Sequence, residues 1–89
     1  MYEFRWNEWN IEHIGTHGVA PREAEYILNH ARAPYPQRLG DNKFLAVGRT
    51  GEGKYLQVVY IFDPPETVFV IHARLLREQE KRRFRRRRR

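Results

Sequence analysis

The sequence contains no cysteine, which excludes disulfide bonds and metal sites built on thiolates. It also lacks an apolar run approaching the roughly 18 residues of a membrane span, and its first ten residues are polar, unlike a signal peptide. These absences favour a protein of the reducing cytoplasm that has no membrane partner. With 89 residues, the chain suits one domain with one modest hydrophobic core.

Positive charge is concentrated at one end of the chain. Residues 74–89 hold ten basic and two acidic residues, a net charge of +8, whereas residues 1–73 carry −2. A polyanion partner is therefore expected to bind through the C-terminal segment and through clustered arginines. Residues 85–89 are all arginine, and we expect a disordered tail that either stays solvated or binds RNA or an acidic partner.

Two helices are predicted in the N-terminal third, after a short strand over residues 2–6. Asn7 suits the N-cap of the first helix, which should run to about His17 and bury Ile11 and Ile14. The second helix should begin at the proline of position 21 and end before the prolines that follow position 33.

The pattern then changes to alternating apolar and polar residues rich in β-branched side chains. The elements expected from here on are strands over residues 33–38, 44–49, 55–62 and 67–74 and a helix over 75–84. The fold class is therefore α+β, with an antiparallel sheet of three to five strands, two N-terminal helices and a C-terminal helix. Residues 1–84 should form the single domain, and residues 85–89 the disordered tail.

The segment from Gly48 to Lys54 has the glycine and lysine spacing of a phosphate-binding P-loop. However, Tyr55 replaces the serine or threonine that binds magnesium, and a strand follows where a helix N-terminus is needed. A β-hairpin turn is the favoured interpretation.

Histidines and arginines at strand ends suggest two kinds of site. His13 and His17 are four residues apart on one predicted helix, so they could share a metal ion with His72 as a third ligand. Alternatively, His72 could move a proton beside Arg74 and Arg49, whose guanidiniums bind phosphate. We expect His72 and Arg74 to share a sheet face with the valines at positions 68 and 70.

The same arginines also have a purely structural interpretation. Arg74 and Arg49 could close the sheet and pair with Glu78 or Glu80 as salt bridges. Both interpretations remain open at the level of sequence.

Several stretches in collinear order resemble the BrnT-like toxins. They are FRW at 4–6, HGV at 17–19, FLAVGR at 44–49, LQVVY at 56–60, and VIHAR at 70–74 followed by Glu80 and Phe84. The match covers about 80 residues, and its order and spacing are more specific than any single motif. The segment WNIEHI at 9–14 is most similar to an uncharacterised branch of that family.

The resemblance implies a RelE-like fold and a bacterial type II toxin that cleaves RNA without metal or cofactor and is neutralised by a ribbon-helix-helix antitoxin. It also implies that Arg49, Arg74, His17 and Tyr60 belong to the site, because they fall on family positions. Arg74 and Arg49 would hold the phosphate, His72 or His17 would transfer the proton, and Tyr60 would position or stack a base.

Arginines near the C-terminus provide further candidate RNA contacts. Arg77, Arg82 and Arg83 are assigned to RNA binding. The partners expected are RNA, the antitoxin and a possible second copy of the chain. A non-catalytic protein- or RNA-binding module of the same fold is the alternative function, and a metal-dependent enzyme is the third.

Overall fold

The structure, a computed structural model, describes residues 2–63 and 66–87. Within these residues, five strands and three helices form one α+β unit. In chain order they are β1 (Glu3–Phe4), α1 (Glu8–Gly15), α2 (Pro21–Asn29), β2 (Gln37–Gly40), β3 (Lys43–Arg49), β4 (Tyr55–Asp63), β5 (Thr67–Leu75) and α3 (Glu78–Arg87). None of the described helices has the length and apolar character needed to cross a membrane.

The strands form a single sheet in the order β1-β5-β4-β3-β2. Strands β2 to β5 form the expected antiparallel meander, but β1 pairs with β5 in parallel. The sheet is therefore mixed, and the prediction of a purely antiparallel sheet is wrong for its first strand. No hairpin joins β1 to β5, so a turn does not dictate their relative direction.

Both faces of the sheet carry a cluster of buried apolar residues. Neighbouring residues on a strand point to opposite faces, so one strand can contribute to both clusters. Three residues of β4, Leu56, Val58 and Tyr60, lie in the larger core cluster together with residues of α1 and α2. The other face carries Val47, which clusters with Leu76 and with Phe84 of α3. The larger core and the smaller cluster under α3 therefore lie on opposite faces of the sheet.

Helix α1 begins as predicted but buries a different set of side chains. Asn7 caps it, because its side chain accepts a hydrogen bond from the backbone N–H of Asn10 at 3.1 Å. Asn10 and Ile14 are fully buried, whereas Ile11 is 42% exposed, contrary to expectation. The buried amide of Asn10 is satisfied, since it also donates to the Arg5 carbonyl and accepts from the Asn7 N–H.

The chain after α1 turns earlier than predicted. The helix ends at Gly15, and Gly18 adopts a φ of +77°, the left-handed conformation that favours glycine. This turn allows the Val19 N–H to bond the Ile14 carbonyl and places the Val19 side chain in the core. It leaves His17 outside the helix, on an exposed turn.

The segment with P-loop spacing is a hairpin between β3 and β4, as the sequence favoured. The Thr50 N–H bonds the Lys54 carbonyl at 2.8 Å, and Gly53 adopts a φ of +94°. The Lys54 ammonium pairs with Glu23 of α2 at 2.8 Å, so it serves the fold rather than a nucleotide. A short connection, which the sequence also predicts at residues 63–66, joins β4 to β5, since Asp63 pairs with Thr67; its positions 64 and 65 lie outside the described residues.

The C-terminal helix is displaced from its predicted range. Leu75 still belongs to β5, and the Leu76 N–H bonds the Tyr55 carbonyl at 2.9 Å, so α3 starts only at Glu78. Helix α3 continues through Arg87, although residues 85–89 were expected to be disordered. Arginine is a strong helix former, which explains the extension. Positions 88 and 89 lie outside the described residues.

Candidate functional site

The structure brings two predicted site residues together, His17 from the turn after α1 and His72 from β5. Their ring centroids are 5.2 Å apart with an interplanar angle of 68°. His17 is exposed and His72 is half-buried. Two imidazoles at this separation can act on the same reacting group, one accepting and one donating a proton.

A β-bulge decides which way His72 points. Tyr60 of β4 pairs with Val70, but the preceding Val59 pairs with His72, so Ile71 is an extra residue on β5. The alternation of β5 is therefore reversed beyond the bulge. Val68 and Val70 are buried in the larger core, whereas His72 and Arg74 point to the opposite face. The prediction that all four share one face is wrong for this reason.

The surroundings of His72 favour its neutral form. Partial burial lowers the pKa of His72 below its ordinary value of 6.5, and the nearby positive charges of His17, Arg74 and His13 lower it further. A neutral imidazole at physiological pH has a free lone pair and can accept a proton. His72 is therefore the better candidate for a general base.

Arg74 lies next to this histidine pair, but most of its guanidinium is already engaged. It donates two hydrogen bonds to Glu80, at 2.9 and 2.8 Å, one to Gln57 and one to the Leu75 carbonyl. Four of its five N–H groups thus have protein acceptors. The structural interpretation of Arg74, a salt bridge to Glu80, is confirmed in this respect.

Glu80 links the sheet to the start of α3. Besides Arg74, it accepts a hydrogen bond from the backbone N–H of Arg77 at 2.8 Å, as an N3 glutamate does in a helix cap. The Arg74 guanidinium, followed by the Arg77 N–H, lowers the pKa of Glu80 to about 2. Glu78, the other predicted partner, pairs with Lys81 instead.

Replacing Glu80 with glutamine should destabilise the protein at neutral pH by about 1–3 kcal/mol, the usual cost of breaking a hydrogen-bonded charge pair. Because folding lowers the pKa of Glu80, its contribution is present above pH 4.5 and is lost as pH falls towards 2. Urea denaturation of both proteins across this pH range should show the difference shrinking. The control Glu78→Gln, at an exposed pair, should cost less than about 1 kcal/mol. A difference between Glu80→Gln and wild type that stays constant with pH would contradict the role of this ion pair.

Arg77 is the arginine of this region that is most open to solvent. Its side chain is 79% exposed and lies 3.7 Å from Glu80, a loose contact compared with that of Arg74. His17, Arg74, Leu75 and Arg77 together line a shallow open depression on the surface. A phosphate placed there would meet Arg77 and His17, while Arg74 could bind it only by exchanging existing partners.

Arg49 lies apart from the histidine pair. It is opposite Tyr55 on β4, whereas Arg74 is opposite Gln57, so the two arginines are one strand, β4, and two residues apart. Standard strand spacings put their Cα atoms about 12 Å apart. The Arg49 guanidinium lies 5.7 Å from the centre of the Tyr55 ring, on which Lys81 and Arg85 also converge. Arg49 thus belongs to a second cationic cluster rather than to the same phosphate site.

Tyr60 does not lie at the site. Its side chain is 1% exposed, and its ring packs against those of Tyr2, Phe44 and Phe62 in the larger core. Burial, followed by the neighbouring Tyr2, raises the pKa of the Tyr60 phenol. The prediction that Tyr60 positions or stacks a base is therefore wrong, because no base can reach its ring.

The remaining predicted RNA contacts lie on α3. Arg82 and Arg83 are exposed, and the described residues provide no carboxylate that pairs with either. Arg83 lines a cavity of about 200 Å³ between α3 and the sheet. These guanidiniums are accessible to a polyanion.

A metal site on the histidines was the other possibility raised by the sequence. Among residues 2–63 and 66–87, no group of three or more His, Asp or Glu side chains has an arrangement that could hold a metal ion. His13 instead stacks on Trp9, with ring centroids 4.6 Å apart.

The sequence interpretation missed the aromatic neighbours of the histidines. Trp9 also stacks on Phe69 of β5, at 5.9 Å, and the Arg5 guanidinium lies 4.3 Å from the centre of the Phe69 ring. A signal was present, since Trp9 and His13 are four residues apart on the predicted helix and are therefore neighbours on its surface.

Comparison of the chain with protein-family models, with curated protein sequences and with solved structures finds no match in any of the three. The geometry of the site therefore carries the functional argument.

Proposed function

We propose that this protein is an endoribonuclease that cleaves RNA without a metal ion and acts as the toxin of a BrnT-like, RelE-type toxin–antitoxin system in the bacterial cytoplasm. The observation that carries the catalytic part is the close pair of His17 and His72, with His17 lining the same surface depression as the exposed Arg77. The toxin part follows from the sequence resemblance, which also implies a ribbon-helix-helix antitoxin as the partner.

The reaction needs a base, an acid and a cation, and His72, His17 and Arg77 are assigned to these three roles. His72 takes the proton of the ribose 2′-hydroxyl while its oxygen forms a bond to the adjacent phosphorus. The bond from phosphorus to the 5′ oxygen breaks, and His17, acting as the acid, gives that oxygen a proton. The products are a 2′,3′-cyclic phosphate and a 5′-hydroxyl. His72 has gained the proton of the 2′-hydroxyl, and His17 has lost the proton that the 5′ oxygen receives.

Arginines supply the electrostatic part of this mechanism. Arg77 binds the phosphate and stabilises the negative charge that develops on it. Arg74 acts mainly by holding α3, and with it Arg77, in place through Glu80. Arg82 and Arg83 extend the basic surface along α3 and attract the RNA chain.

The purified protein should cleave single-stranded RNA in the presence of excess chelator and leave 2′,3′-cyclic phosphate ends. Gel analysis of a labelled RNA with end-group mapping measures this directly. Cleavage that stops in chelator and returns with added metal would contradict the proposed chemistry.

The alternative is a non-catalytic RNA-binding protein, which Arg82 and Arg83 favour, because both are exposed and no carboxylate of the described residues pairs with them. RNA binding in a gel-shift assay without detectable cleavage would support it over the nuclease. Expression of the chain alone in a bacterium separates the two further, since only the nuclease should arrest growth.

A further inference from the structure

Three aromatic rings outside the catalytic pair form an ordered strip, here called the aromatic strip, made of Trp9, His13 and Phe69. Trp9 is nearly parallel to both of its neighbours, with interplanar angles of 15° to His13 and 16° to Phe69. Trp9 is nevertheless 52% exposed. A large aromatic side chain that is held flat against its neighbours and remains open to solvent offers a rigid surface for stacking.

Positive or ionisable groups flank the strip at both ends. At one end, the Arg5 guanidinium lies 4.3 Å from the centre of the Phe69 ring and is fixed by an ion pair with Asp63. At the other end, the turn that follows His13 carries His17, whose ring lies 5.2 Å from that of His72, so the strip leads towards the proposed reaction site. Alternation of flat rings and cations suits a single strand of nucleic acid, whose bases stack and whose phosphates are anionic.

The carboxylates of α1 lie towards its solvent side, and Glu12 is about 60° around the helix from Trp9. At about 100° per residue, Glu8 and Glu12 lie on the outer side of the helix, away from the buried Asn10 and Ile14. The same geometry puts Ile11 on the flank opposite Trp9. Ile11 is exposed to a similar extent and therefore provides a matched control on the same helix.

We infer that the aromatic strip binds bases of single-stranded RNA next to the phosphate held at His17 and His72. The inference deepens the proposed function, on which the choice of RNA rests. The strip supplies stacking energy and register, while Arg77 and the arginines of α3 supply most of the phosphate contacts. Stacking needs no particular base, so the strip favours unpaired RNA over duplex.

Trp9→Ala should weaken binding of a short 2′-O-methyl oligoadenylate by about 5- to 150-fold, the range expected for the loss of one stacked base. The slope of log affinity against log salt should stay unchanged, because no phosphate contact is removed. Ile11→Ala should bind like wild type. In the wild-type protein, the oligonucleotide should quench tryptophan fluorescence through Trp9, since Trp6 is half-buried and donates to Glu25.

Trp9→Phe serves as a second variant in case Trp9→Ala does not fold. Because it keeps an aromatic ring at this position, it should retain most of the affinity for the oligonucleotide. The inference would be overturned if the folded Trp9→Ala protein bound the oligonucleotide with wild-type affinity, or if the oligonucleotide did not quench the tryptophan fluorescence of the wild-type protein. It would also be overturned if substitution of Trp9 impaired binding of a protein partner but not of RNA. The 2′-O-methyl oligonucleotide cannot be cleaved, so binding is scored separately from catalysis. If binding depends on Trp9 but ordinary RNA is not cleaved, the nuclease proposal is refuted and the role of the aromatic strip in RNA binding stands. If ordinary RNA is cleaved but binding does not depend on Trp9, the nuclease proposal stands and the role of the strip is refuted.

Discussion

His72→Ala should lower the rate of RNA cleavage by about 100- to 10,000-fold, the usual contribution of general acid–base catalysis. Affinity for uncleavable RNA should change little, because a neutral imidazole makes no ion pair with phosphate. Single-turnover cleavage and oligonucleotide binding, measured on the same preparation, separate the two effects. His17→Ala should give a loss of similar size, since the proton acceptor and the proton donor act in the same step.

The control for this prediction is His30→Ala. His30 ends α2, stacks on Tyr26 and bonds the Tyr26 carbonyl at 2.9 Å, so it should be dispensable for cleavage. Because the pKa of His72 is lowered, the acid limb of the wild-type rate profile should lie below pH 6.5. A His72→Ala protein that is folded and cleaves at the wild-type rate would eliminate His72 as the base.

Tyr60→Ala should destabilise the protein by about 3–5 kcal/mol, as expected when a large buried aromatic side chain is truncated. The side chain is buried among its aromatic neighbours, so its truncation leaves a cavity that these neighbours cannot readily move to fill. Equilibrium urea denaturation measures the change. A domain of this size has only a few kcal/mol to lose, so part of the population is expected to be unfolded.

Tyr60→Phe distinguishes a core role from a role at the RNA site. It keeps the ring and removes only the hydroxyl, so both stability and cleavage should remain close to wild type. If the folded Tyr60→Phe protein bound RNA normally but no longer cleaved it, the phenol would take part in the reaction. The conclusion that Tyr60 acts only in core packing would then be wrong.

Local sequence signals predicted most of the secondary structure. Asn7 and Pro21 start the two N-terminal helices, and the glycine-rich segment before Tyr55 forms the hairpin turn. These features depend on hydrogen bonds and dihedral preferences within a few residues, which a sequence pattern records. The start of α3 could not be placed in the same way, because pairing with β4 keeps Leu75 in a strand despite its helix propensity.

The site was predicted only in part, for reasons that differ between residues. The strand alternation that groups Tyr60 with Leu56 and Val58 already indicated a buried side chain, although the family resemblance pointed to the site. For Arg74, the sequence left phosphate binding and a salt bridge to Glu80 open, and the ion pair is present. Its use in catalysis stays a prediction.

The sequence by itself determined the α+β class, the N-terminal helices, the antiparallel meander and the basic C-terminal segment, since periodicity, caps and charge are local properties. Only the tertiary structure decided that β1 pairs in parallel, that the bulge at Ile71 turns His72 towards His17, and that Trp9 stacks on Phe69. Each of these depends on contacts between residues far apart in the chain. One extra residue in a strand reverses every side chain beyond it, and no local pattern reveals where the partner strand will leave that residue unpaired.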